Sequence, residues 1–328
     1  MRPLPEQRLH RPFEAGPYRM AMDLVAVPEA DWFEIDRLYR TEMAEKRRLL
    51  AGSHDAVFAA MPASAAARRE ALETVVAALV LHHPTWFSRD GMVVRDRLTD
   101  EAWKLGSIDP LDLAGRLVQE DLCLIQNGGD GPMFTAASLC FPSRWRLIDK
   151  IGKPLSAVHG PVPFYADRLA RPVDRFMRHL KPGHIAARLN WSVLDDPALF
   201  QPGGKWRATG GSGVTAQNAG RCVFLRVERQ TLRRLPQSGA VLFAIRVHVS
   251  PLERVIDGPE HAAALAAAVR ALPAEVQHYK SLLPFRAALL GWLESGGGSG
   301  DDSRGFDGGQ QLLTERDERT SPTPSEER

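Results

Sequence analysis

The residues of this chain best suited to hold a metal or move a proton near neutral pH are its ten histidines and three cysteines. His159 stands apart from the rest. It lies in Ile151-Gly152-Lys153-Pro154-Leu155-Ser156-Ala157-Val158-His159-Gly160-Pro161-Val162-Pro163, a run that is otherwise mostly apolar or backbone-restricting. Three prolines and two glycines in that run pin the path of the chain on both sides of the imidazole. A pinned backbone gives the ring one direction to point, as a metal ligand requires. The plainer alternative is a core histidine satisfied by hydrogen bonds. His179 and His184 flank the end of a helical stretch and are rival ligands, and His184 directly precedes a strand. His82 and His83 are adjacent, so on a helix they diverge by about 100° and do not share a site.

A second group of polar residues suits an anion. Arg221, Arg226, Arg229, Arg233 and Arg234 are dense, and Arg226, Glu228 and Gln230 share one strand face by period two. Guanidinium pairs with a carboxylate in bidentate fashion, which makes this stretch a candidate clamp. A solvated ladder of ion pairs is the competing reading. In Arg188-Leu189-Asn190-Trp191 the first and third residues face one way and the second and fourth the other. Either Arg188 and Asn190 donate hydrogen bonds to a bound ligand or Trp191 simply packs. Gly210-Gly211-Ser212-Gly213 lacks the G-x-x-x-x-G-K-[ST] order and the strand-then-helix setting of a phosphate loop. It reads instead as a flexible hairpin loop or lid.

Cys123, Cys140 and Cys222 are widely spaced, with no C-x-x-C pair, which argues against a disulfide framework and against a zinc site. All three fall in apolar, strand-like runs and read as buried thiols of a reducing compartment. The 328 residues carry a net charge of +2, which gives no reason to expect nucleic acid. From Glu294 onward nine acidic residues face four basic ones, a net of −5, so the body carries about +7. The N-terminus lacks the apolar run of a signal peptide, and no stretch approaches the roughly 18 apolar residues of a membrane helix. A soluble cytoplasmic protein with no membrane contact is expected.

The elements that must position these residues follow from pattern and punctuation. Residues 1–30 are Pro-rich and read as an extended arm. A helix is expected over 31–50, opened by Asp31 with Glu34 reaching back as a capping box. Others are expected over 64–81 and, after Asp109-Pro110, to about 119, so that 31–120 forms a helical layer. Strands are expected over 122–126 and 134–141 around the turn Asn127-Gly128-Gly129-Asp130-Gly131. Helical segments follow at 143–158 and 166–180, the latter kinked or restarted by Pro172. Three more strands are expected at 185–193, 221–228 and 240–249. Helices at 259–272 and 285–293 close the folded part, and a polar tail over 295–328 is expected to be disordered. The fold class is α+β: a PAS-like antiparallel sheet with a helical cover over 121–255, an N-terminal helical layer over 31–120 and a C-terminal one over 256–294. Such a sheet encloses a pocket between itself and its helices.

Several segments in this order match a known family. They are Pro17-Tyr18-Arg19-Met20, Asp31-Trp32-Phe33-Glu34-Ile35-Asp36, Gln119-Glu120-Asp121-Leu122-Cys123, Phe141-Pro142-Ser143-Arg144-Trp145, the His159 run, Arg188-Leu189-Asn190-Trp191 and Arg226-Val227-Glu228-Arg229-Gln230-Thr231-Leu232. Through them the chain resembles the alpha-subunit-like proteins of the haem-dependent oxidative N-demethylase family over about residues 15–290. The resemblance implies b-type haem and O₂ used to remove a methyl group from a small secondary amine such as dimethylamine, releasing formaldehyde. It also implies electrons from an NADPH-dependent flavin/iron–sulfur reductase subunit and a further subunit that passes formaldehyde to tetrahydrofolate. Haem iron needs a fixed imidazole, an apolar slot and cations for its propionates. His159 is then the expected axial ligand, with His184 and His179 as rivals; Arg226, Arg229 and Trp191 are expected to contact the cofactor. Arg188, Asn190 and Arg226 are the expected catalytic residues, placed to polarise the oxidant or orient the amine.

Overall fold

Among the described residues β-branched and apolar runs, several of them alternating, supply ten strands. They are β1 (Val25–Val27), β2 (Phe58–Ala60), β3 (Phe87–Asp90), β4 (Val93–Asp96), β5 (Glu101–Lys104), β6 (Asp121–Gly128), β7 (Gly131–Ser138), β8 (Ile185–Leu194), β9 (Phe224–Arg234) and β10 (Val241–Pro251). Seven form one antiparallel sheet in the order β1-β8-β9-β10-β6-β7-β2, and β3-β4-β5 form a small second sheet. The computed structural model describes residues 3–129, 131–205 and 213–297. They lie within one compact unit, Met1–Gly298.

The expected chain order of two strands, a helical insert and three strands is present: β6 and β7, the helices of 155–179, then β8, β9 and β10. Last strand pairs with first, since β10 lies beside β6 with Phe243 opposite Cys123. β8 and β9 pair over ten positions, setting Arg188 opposite Gln230 and Asn190 opposite Glu228.

The two faces of this sheet are covered differently. On the back face Leu122, Leu124, Ala136, Leu242 and Ala244 pack on Ala71, Leu72, Val75 and Leu79 of the Ala65–His82 helix. The helices Pro259–Ala271 and Arg286–Glu294 cover Leu225 and Val227 on that side. On the front face Cys123, Phe134 and Ile245 join one apolar cluster, and Ile125, Met177, Leu180 and Leu232 join another. The cover there is thin, made of the short helices Leu155–Val158, Tyr165–Arg168 and Ala170–His179.

A buried polar network holds the N-terminal layer to the back face. Arg246 is fully buried and donates to Asp36 at 2.8 Å and pairs with Glu42 at 2.7 Å. Gln119 donates to Glu42 at 2.7 Å and to Asp36 at 3.2 Å. Lys46, also buried, donates to the carbonyls of Val118 and Glu120 at 2.9 and 2.6 Å.

Several expectations are corrected. The helix expected over 31–50 begins at Tyr39, where Asp36 accepts from the Leu38 N–H. Glu34 does not reach back as a capping residue; its carboxylate meets His248 at 2.8 Å. The layer expected to be helical over 31–120 contains the β3-β4-β5 sheet, whose four-residue strands carry too little period to be read. The helix after Asp109-Pro110 stops at Gly115, although Asp109 caps it by accepting from the Leu111 N–H. Only Leu147–Asp149 and Leu155–Val158 of the stretch 143–158 are helical. The stretch 166–180 breaks at Leu169, with Pro172 in the first turn of the second piece. Cys222 is not in a strand but in the turn Ala219–Cys222, and it is only partly buried, whereas Cys123 and Cys140 are buried. β9 runs six residues past its expected end at 228. Of the tail over 295–328, residues 298–328 lie outside the described residues, as do 210–212 of the glycine-rich loop.

Glu120 gives a test of the network. Its Oε1 accepts from the Glu34 N–H at 2.9 Å, and its buried Oε2 has no hydrogen-bond partner. Burial pushes this carboxyl up from 4.5 to about 7. The folded state therefore holds a proton that the unfolded chain releases near 4.5. The stability this contributes is complete below that value and is lost as pH rises through 7. Glu120→Gln does not titrate. The stability of the variant relative to wild type, by urea unfolding, is expected to rise by roughly 1–3 kcal/mol from pH 5 to pH 8. A difference that stays constant with pH would contradict this origin.

Candidate functional site

The front face of the sheet, the thin helical cover and the arm residues 12–24 enclose a cavity of about 750 Å³. That is within the roughly 300–1,000 Å³ typical of small-molecule and cofactor sites. Its floor is the alternating face of the strands: Arg188 and Asn190 from β8, Arg226, Glu228, Gln230 and Leu232 from β9, Phe243 and Ile245 from β10, and Cys123 and Ile125 from β6. Two non-glycine residues of its wall, Asp23 and Arg144, have positive φ (45° and 60°), a backbone conformation that costs energy and clusters at functional sites.

His159 is the histidine that lines this cavity; His179 and His184 are exposed and do not reach it. The segment predicted to pin the ring does so through a short helix, Leu155–Val158, entered from Pro154 and left at His159. The Nδ1–H of His159 donates to the Leu155 carbonyl at 2.9 Å. A carbonyl only accepts, so this bond fixes the tautomer and leaves the Nε2 lone pair without a hydrogen bond. Tyr165 stacks on the ring at 4.4 Å and 12°. Burial, with the charges of Lys150, Arg188 and Lys205, pushes the imidazole down to about 4. A neutral ring, one nitrogen oriented by a carbonyl and the other open, is the arrangement that metal-ligating histidines use.

The cations of the cavity are not the expected ones. Arg229 turns to the back face, where it donates to the carbonyls of Trp32 and Asp31 at 2.9 and 2.5 Å and does not line the cavity. Arg226 does border the cavity, but its guanidinium is committed to the carbonyls of Phe141 at 2.6 Å and of Ala198 and Leu199 at 3.3 Å. Arg233 meets Glu29, and Arg234 donates to the Leu180 carbonyl at 2.5 Å. The expected clamp is thus largely a set of struts for loops.

In its place stand Arg188, Lys150, Lys205 and Lys280, none of which forms an ion pair among the described residues. Lys150 donates to the Val158 carbonyl at 3.2 Å, Lys205 to the Tyr279 hydroxyl at 3.0 Å and Lys280 to the Trp191 carbonyl at 2.6 Å. Burial pushes all three ammonium groups down to about 8. The Nε of Arg188 is buried with no partner.

Asn190 turns into the cavity and donates to Glu228 Oε2 at 3.2 Å, while Gln230 donates to the same oxygen at 2.9 Å. Among the described residues no hydrogen bond reaches Glu228 Oε1, and Glu228 lines the cavity. Trp191 borders the cavity but packs on the C-terminal cluster with Phe13, 6.1 Å away edge-on. Sequence reasoning missed Glu228, Lys205 and Lys280 as site residues. Glu228 was visible through its shared face with Arg226 and Gln230; the two lysines reach the cavity from segments that carry no motif.

A sheet that floors one deep pocket, with one oriented imidazole, an apolar half and an excess of cations, has the chemistry to suit an anionic, partly apolar cofactor or ligand. The chain belongs to the haem-dependent oxidative N-demethylase, alpha subunit-like family, whose model matches residues 24–290. The family description names a haem-dependent oxidative enzyme and, as an alpha subunit, a multi-subunit assembly. Among the described residues no helix is long and apolar enough to cross a membrane.

The contrast between the two arginines can be measured. Arg226→Met strips the donors from three backbone carbonyls and is expected to cost about 2–4 kcal/mol in chemical denaturation. Arg188→Met removes a half-buried, poorly compensated cation and is expected to cost less than about 1 kcal/mol, or to stabilise. The reverse order would show that Arg188, not Arg226, supports the fold.

Proposed function

We propose that this chain is the haem-binding, PAS-like catalytic subunit of an oxidative N-demethylase that acts on a small, dimethylamine-like secondary amine. The observation that carries this reading is the His159 ring, with Nδ1 tied to the Leu155 carbonyl and Nε2 open to the cavity. The residues present fit haem. His159 would hold the iron, the apolar lining of Ile125, Leu232, Phe243 and Ile245 suits the macrocycle, and Lys150, Lys205 and Lys280 suit two propionates. Bound haem b would supply the O₂ and one-electron chemistry that side chains lack. The net reaction takes O₂, two electrons and two protons to convert the N-methyl group to formaldehyde, leaving the demethylated amine and water. The electrons would come from an NADPH-dependent flavin/iron–sulfur reductase subunit, and a tetrahydrofolate-binding subunit would receive the formaldehyde.

The side chains divide the remaining tasks. Glu228 suits the ammonium form of the amine, since its Oε1 has no other donor and its Oε2 is oriented by Asn190 and Gln230. Holding the amine in place raises the effective concentration of its methyl group at the reacting centre. Arg188, whose Nε lacks a partner, suits the stabilisation of developing negative charge. Arg226 acts one step back, fixing the 198–199 loop against Phe141.

Two experiments test this. The purified protein is expected to show a Soret band that is lost in His159→Ala and kept in His179→Ala and His184→Ala. Full haem content in His159→Ala would remove it as the ligand. With a reductase or chemical reductant, dimethylamine is expected to yield formaldehyde. Glu228→Gln is expected to raise KM roughly tenfold or more with haem content unchanged, as loss of a charge-assisted hydrogen bond would. A Soret band without turnover of any secondary amine would leave a gas- or redox-binding protein instead.

A further inference from the structure

A second group of ligand-type side chains lies on the back face of the sheet, away from the cavity. His10, Glu34 and His248 come from three segments far apart in sequence, yet their ligand-capable atoms all lie within 4.8 Å of one another. We propose that they form a site for a divalent transition ion, Zn²⁺ being the probe of choice, which fastens the N-terminal arm to the sheet.

The geometry is that of a nearly closed triad. His248 Nε2 lies 2.8 Å from Glu34 Oε2, His10 Nε2 lies 3.9 Å from Glu34 Oε1, and the two imidazole rings are 4.9 Å apart at 60°. Two ligands of one tetrahedral zinc ion stand about 3.4 Å apart, given bond lengths near 2.0–2.1 Å. The observed spacings bracket that value, so small side-chain rotations close the triad. The three side chains are mostly sheltered, with exposures of 15%, 12% and 4% for His10, Glu34 and His248.

A second observation points the same way. The His10 Nε2 is buried and makes no hydrogen bond. Native proteins seldom leave such an atom unmet, and each case asks for an unseen water or ion. Gln7 can give His248 the support that ligating histidines have, once its amide nitrogen and oxygen exchange places. The side-chain amide of Gln7 stands 3.4 Å from its Nδ1. Turned about its last bond, that amide presents oxygen to an Nδ1–H and leaves the Nε2 lone pair to the ion. Two arginines, Arg8 and Arg229, also approach Glu34, both at Oε1 and both at 3.5 Å. They compete for the charge of Oε1, the oxygen that His10 approaches, and so weaken the site, while Oε2 lies beside His248. Two histidines and one carboxylate leave further positions for water, as in exchangeable rather than closed zinc sites.

The consequence reaches the cavity. His10 is followed by Arg11, which donates to the Val255 carbonyl at 2.7 Å and to Asp257 at 2.5 Å. The arm begins to line the cavity at Pro12. An ion on His10 therefore fixes the start of the segment that walls the pocket.

The test is calorimetric titration of ZnCl₂ into the untagged full chain after chelator treatment, with unfolding temperature as a second readout. One equivalent is expected to bind and to raise the unfolding temperature. Both effects are expected to be lost in His10→Ala and in His248→Gln. They are expected to persist in His261→Ala, which removes the histidine of the exposed Asp257, Glu260 and His261 group. Because His10 lies on the arm outside the sheet, its variant carries the test even where His248→Gln fails to fold. Absence of stoichiometric binding, binding untouched by His10→Ala, or binding that disappears with His261→Ala overturns the proposal.

Discussion

A charged side chain with no access to water must meet its counter-charge within its own shell. Arg246, in the middle of β10 and fully buried, sets that condition for the whole back of the molecule. Asp36 and Glu42 answer it directly, and Gln119 ties the two carboxylates together. Loss of both acids would leave Arg246 a buried charge without a counter-charge, at a cost of about 3–5 kcal/mol. The segment from Trp32 to Leu50 is therefore held against the sheet from behind. With one face secured in this way, the other can remain hollow.

The same residue types receive opposite treatment on the two faces. Behind the sheet Arg229, Arg246 and Lys46 find carbonyls and carboxylates. In front, Lys150, Arg188, Lys205 and Lys280 border open space with no acid within ion-pair distance among the described residues. Glu228 is the carboxylate of the floor, and amide side chains rather than cations hold it. An arrangement of this kind is stable only at a cost, and the natural compensation is a bound anion. His159 adds a neutral donor nitrogen to the same space.

The strands that build the floor were legible in the sequence because half-buried antiparallel strands alternate and are punctuated by Gly, Pro and Asn. His159 was legible for a related reason, since proline and glycine on both sides restrict the backbone around it. The arginines were misjudged. Density in sequence marked them as a clamp, but which guanidinium faces the cavity depends on strand register and on which loop carbonyls need donors. Arg226 and Arg229 are three apart on one strand and so lie on opposite faces. Lys205 and Lys280 were not legible, because each reaches the cavity from a loop or a helix end set by tertiary packing. The small β3-β4-β5 sheet escaped notice because its four-residue strands lie within a largely helical stretch.

Cys123, on the cavity floor, has one further consequence. Burial, reinforced by the charge of Asp121, pushes its thiol far above the ordinary range. Only the thiolate reacts readily with peroxide or electrophiles. A cavity-lining sulfur is open to oxidation as the thiolate, and the retained proton suppresses that form. The lining thus gains a soft, polarisable contact that, held as a thiol, reacts slowly with oxidants.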